Sequence, residues 1–174
     1  AYFLTFPHAH MPEFNLRHAS HTSGFRGRGM PAAAAEVAGL SYDPHAALEQ
    51  MGIPVIRYWL RDTWGAWAPA QRVVIIAKGL SPTEERCVLA HEVEHILAGD
   101  TGCGRGDGMR AERRADLRAS RKLIALSDFC AARQWATSEA ELAAELSVTT
   151  WVLRARIADL EGGARWLGTS KIAG

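Results

Sequence analysis

Apolar residues recur with a period only from about residue 42 of the 174-residue chain. Residues 1–40 hold four of the seven histidines, three prolines, the stretch GFRGRG and the alanine run PAAAAEVAGL, and sustain neither a 3.6 nor a 2 period. This segment is expected to be mostly disordered, with its HAH pair in a solvated tail. The chain opens on alanine, so Met11 or Met30 is expected to lie nearer the translation start. Beyond the tail, DPHAALEQMGI predicts a short helix: Asp43 can cap it, Pro44 suits its first turn and Gly52 follows its last. IPVIRYWL (53–60) and RVVIIAK (72–78) are β-branched and flank the turn-forming RDTWGAWAPAQ, which predicts neighbouring strands of a small antiparallel sheet. Ser81-Pro82-Thr83-Glu84 is a capping box, and Val88, Leu89, Val93, Ile96 and Leu97 follow at helical spacing until Gly99 supplies a stop. A second helical pattern covers 109–126. A last pair of helices covers 137–160, broken near Ser147-Val148, with an apolar seam of Leu142, Leu146, Val148, Val152, Leu153, Ile157 and Leu160 like that of a helix-turn-helix.

Length allows one domain with its own core, taken as residues 41–174. Twenty basic and 19 acidic residues nearly cancel, so no global field favours nucleic acid or an anionic membrane. No apolar run approaches the length of a membrane span, and the first residues lack the basic start and long apolar stretch of a secretory signal. Cys87, Cys103 and Cys130 are too few and too far apart for a disulfide framework, which points to a reducing cytoplasm.

The candidate chemistry lies in CVLAHEVEHILAGD (87–100). On a helix His91 and His95 project from one face, one turn apart, where both imidazoles can reach one cation of zinc size. Glu92 points about 100° further round, placed to act on an attacking water as general base without becoming a ligand. The ion would lower that water's pKa toward roughly 7, and Glu92 would pass its proton to the leaving amine. A catalytic zinc site needs a third protein ligand, and Glu112 on the second helix can supply it. Cys103 is the alternative ligand, but its glycine-rich loop presents it less rigidly. Asp116, one turn past Glu112, can accept the outer ring N–H of a ligand histidine. Against these roles stands the plainer reading that both carboxylates offset Arg113, Arg114 and Arg118 on a solvated helix. Cys87 is expected in the core.

Over about residues 42–161 the chain resembles the ImmA/IrrE metallopeptidases, especially the compact actinobacterial and phage versions. The resemblance rests on DPHAALEQMGIPV, RCVLAHEVEHILAGDTGC and ERRADLRASRKLI. It implies a zincin-like fold, His91 and His95 as metal ligands, Glu92 as general base and Glu112 as third ligand. It also implies intracellular cleavage of a regulatory protein, typically a helix-turn-helix repressor. One departure is Glu94, where many members carry glycine; its charge is expected either to alter substrate access or to face solvent.

The resulting expectation is an α+β zincin-like domain with Zn2+ as cofactor, Mn2+ as the alternative ion, and a substrate strand adding to the sheet edge. Two rivals remain. The helix pair over 137–161, with Arg154 and Arg156, could make the protein a DNA-binding regulator, although Asp159 and Glu161 dilute its positive face and specific DNA binding is not expected. The metal site could also be an inactive scaffold for protein interaction.

Overall fold

The computed structural model describes residues 42–100 and 108–169, with side chains as far as Gly162. The expected tail, the expected start at Met11 or Met30 and the alternative ligand Cys103 lie outside the described residues. Helix α1 (Pro44–Gln50) begins as its sequence requires: the Asp43 carboxylate accepts from the His45 and Ala46 amides, and Gly52 leaves the helix with φ +64°. Three strands follow, β1 (Val55–Tyr58), β2 (Gly65–Ala68) and β3 (Val73–Ala77), in the spatial order β1-β3-β2.

The sheet is mixed, which corrects the antiparallel pairing expected of the two β-branched runs. β1 and β3 are parallel, with Val55 opposite Val74, while β2 is antiparallel to β3, with Gly65 opposite Ile76. The stretch between the runs is itself a strand, so the chain reverses twice between β1 and β3 and both must point the same way. Gly65-Ala66-Trp67-Ala68 shows little strand propensity, and at Gly65 space dictates the residue. A Cβ at Gly65 would collide with Val88 Cγ1 and stand 3.0 Å from Glu92 Oε1.

Helix α2 (Pro82–Ala98) starts on the expected capping box, in which Ser81 accepts from the Glu84 amide and Glu84 Oε2 accepts from the Ser81 amide at 2.8 Å. Every residue from Cys87 to His95 is buried. One side packs Val88, Leu89 and Val93 on Leu48, Ile53, Val74 and Ile76. The other packs Cys87 and Ala90 on Ala119 and Leu123 of α3 (Gly108–Leu123) and on Val152 and Leu153 of α6 (Thr150–Thr169). Helices α4 (Leu126–Ala132) and α5 (Glu139–Glu145) complete this second layer. The α5–α6 break falls at Ser147, whose φ is +51°. Its seam residues Leu142, Val148, Val152 and Leu153 are buried in the same cluster as α2 and α3, so the pair is part of the domain core.

Glu94 neither faces solvent nor stands bare beside the motif. It is 3% exposed, and Lys122 of α3 reaches its Oε1 at 2.6 Å while lying over the Tyr42 ring. The pair ties α2 to α3 and satisfies a charge that burial would otherwise penalise. Burial, with the Glu94 and Asp43 charges added, pushes the Tyr42 hydroxyl up to about 12. Among the described residues, no helix is long and apolar enough to cross a membrane.

Candidate metal centre

Mid-way along α2, the rings of His91 and His95 turn toward α3, and their Nε2 atoms stand 3.0 Å apart. Glu112, in the second turn of α3, brings Oε2 to 3.2 Å from His91 Nε2 and Oε1 to 3.4 Å from His95 Nε2. Each ring is held from behind by a carboxylate: Asp116 Oδ1 lies 2.9 Å from His91 Nδ1, and Asp100 Oδ2 lies 2.9 Å from His95 Nδ1. The Asp116 approach is an ion-pair distance, although the ring N–H does not point squarely at the oxygen.

This arrangement has a chemical consequence. If each Nδ1–H serves its carboxylate, both Nε2 lone pairs and the Glu112 carboxylate face one another with no donor among them. Such a cluster needs a cation. In a tetrahedral site with bonds of about 2.0–2.1 Å, ligand atoms are roughly 3.3 Å apart. The observed separations fit that spacing, and the three residues together could hold a metal ion.

The electrostatics report the same demand. Burial works against a charged His91, yet Asp116 and Glu112 outweigh it and raise its pKa to about 10. Burial also opposes charge on His95, but the Glu112 and Asp100 carboxylates lift it above the ordinary imidazole range. Burial would raise Glu112, but hydrogen bonds to His91 and His95 win and lower it to about 2. Without a metal, then, a proton takes part of the cation's place.

Glu92 lies outside this cluster. It is buried against β2, and burial pushes its carboxyl above the usual range, with Glu112 adding to the shift while both histidines and the Trp67 backbone N–H oppose it. The strand register explains that N–H. The Ala77 amide donates to the Trp64 carbonyl, so by antiparallel alternation the backbone groups of Gly65 and Trp67 point away from β3, toward the edge that carries no strand among the described residues. Glu92 thus sits between the histidines and a strand edge that is unpaired among the described residues, with a carboxyl raised by burial.

Sequence reasoning missed three contributors. Asp100 is placed by the helix stop: Gly99, with φ +70°, turns the chain so that its amide reaches Ile96 O while the Asp100 amide reaches His95 O. That reversal folds the Asp100 carboxylate back onto the ring of His95. A carboxylate directly after the stop glycine was the available signal. Trp151 of α6 stands edge-on to His91, ring centres 5.9 Å apart at 85°, and walls the site. Trp67 contributes through its backbone, for which the side-chain pattern carries no signal.

The two carboxylates make separate predictions. Asp116→Ala should weaken metal affinity by about 10- to 100-fold through His91, Asp100→Ala should do the same through His95, and the Asn variants should be milder because an amide oxygen still accepts. Competition with a zinc chelator measures this; wild-type affinity in both alanine variants would show that neither carboxylate orients its ring.

A family model described as IrrE N-terminal-like domain, peptidase M78, matches residues 30–158. No curated protein matches the chain.

Proposed function

Because the chain belongs to the IrrE N-terminal-like (M78) peptidase family, a family of metal-dependent peptidases, we propose that it is a zinc-dependent endopeptidase that cleaves a regulatory protein of the repressor type in the cytoplasm. One observation carries the reading: the His91 and His95 Nε2 atoms stand 3.0 Å apart and each meets a Glu112 carboxylate oxygen, at 3.2 and 3.4 Å, beside a buried glutamate on the β2 side of α2.

His91, His95 and Glu112 would hold the ion. Bound there, it would supply the Lewis acidity that makes water a nucleophile near neutral pH. Glu92, its carboxyl raised by burial, would take the proton of the attacking water and return it to the leaving amine. The outward carbonyl of Trp67 would accept from the amide of a peptide laid along β2, which aligns the scissile bond with Glu92. Gly65 keeps that strand close, since a side chain there would push the strand off Val88 and Glu92.

The regulator reading has less support. Arg154 is paired with Glu139 at 2.8 Å, and Arg156, mostly buried, is paired with Asp159 at 2.7 Å, and these carboxylates oppose the approach of phosphates. The deciding experiment is incubation of the protein with candidate helix-turn-helix repressors from the same organism, with and without chelator. Cleavage abolished by chelator and restored by zinc is expected. An intact repressor under all conditions would remove it as the substrate.

A further inference from the structure

At the C-terminal end of α2 a cavity of about 370 Å³ opens between α1, β2 and α2. Its walls are apolar: Met51 and Ile53 after α1, Trp67 of β2 and Ile96 in the last turn of α2. Arg72 and Asp100 contribute its charged groups. Two of these residues belong to the arrangement described above. The Trp67 amide holds Glu92, and the Asp100 carboxylate holds His95. The cavity therefore adjoins the candidate centre on both its proton-accepting and its ligand side.

A peptide paired along the free edge of β2 passes Trp67, and alternation along an extended chain turns every second side chain to the same face. We infer that this cavity is a specificity subsite that receives one large apolar side chain, of the leucine or phenylalanine class, from the bound peptide. The inference rests on the peptidase function proposed above. The chemistry of the walls selects the occupant. Asp100 is committed to His95, and Arg72, at an exposed position, makes only a long contact to the Met51 carbonyl at 3.5 Å. A charged side chain seated against the Met51, Trp67 and Ile96 faces would lose its water. A glycine or alanine would leave the faces of Met51, Trp67 and Ile96 wet, whereas a large apolar group removes them from solvent.

The test uses the full chain loaded with zinc and a series of peptide hydroxamates, which ligate zinc without being cleaved. Each position carries leucine, phenylalanine or glycine in turn, and binding is measured by calorimetry. At one position leucine and phenylalanine should bind at least about tenfold more tightly than glycine. Ile96→Trp, which fills the cavity, should erase that preference with zinc content as in wild type. Met51→Ala, at a half-buried position, should widen the cavity and move the preference toward phenylalanine. Absence of a preference at every position, or a preference that neither variant alters, would overturn the subsite. Failure of the peptidase reading looks different: the stated preference would be present, but no peptide would be cleaved in a chelator-sensitive way.

Discussion

Glu92→Gln should abolish most hydrolysis while leaving the metal in place. Glutamine matches the shape of the glutamate and can still accept from the Trp67 amide, but it cannot take a proton from water at neutral pH. Removing a positioned general base costs roughly 10²- to 10⁴-fold in rate. Metal content should stay at wild-type level because Glu92 lies on the β2 side of α2, away from the His91–His95–Glu112 cluster. Glu112→Ala is the contrast: it should lose metal affinity and activity together. Metal analysis alongside a cleavage assay separates the two, and equal metal loss in both variants would mean that Glu92 is a ligand and not the base.

The second large effect concerns the cation itself. Purified protein should carry about one divalent ion per chain, and the double variant His91→Ala/His95→Ala should carry none. The pKa shifts set how uptake depends on pH. In the metal-free protein His91 has its pKa raised from 6.5 to about 10, so at pH 7 it holds a proton that the ion must displace. Uptake at pH 7 should therefore release protons, and affinity should climb about tenfold per pH unit for each proton displaced. The raised pKa also stabilises the metal-free fold below about pH 6.5, and that contribution is lost as pH rises through about 10. Glu112 behaves oppositely: lowered from 4.5 to about 2, it contributes stability above 4.5 that disappears as pH falls through 2. Zinc titrations in two buffers of different ionisation heat count the protons released. A count of zero at pH 7, or full occupancy in the double variant, would rule out the site as drawn.

What could be read from the chain follows the range of the forces involved. The ends of α2 were legible because a capping box and a stop glycine act within four residues. The approach of Glu112 and Asp116 to His91 was legible in outline because helical spacing fixes which side chains share a face, and one carboxylate face was available beyond the loop. Strand β2 was not legible. Its glycine answers to the nearness of Val88 and Glu92, a constraint set by residues more than 20 positions away. The parallel pairing of β1 with β3 was hidden for the same reason. Glu94 was misread because its burial depends on Lys122, a partner 28 positions on, and no local pattern announces a lysine that will reach inward.

The seam between α5 and α6 carries a last consequence, for how the protein comes apart. That seam covers Cys87 and Ala90 on the back of the motif helix, and Trp151 at the start of α6 packs against a ring of the metal cluster. The C-terminal helices are therefore not a detachable module that could be trimmed to leave a minimal enzyme. A chain cut before Thr137 would expose the apolar rear of α2 and lose a wall of the site in the same stroke. Heating should accordingly give one cooperative transition in which helix content and metal retention vanish together.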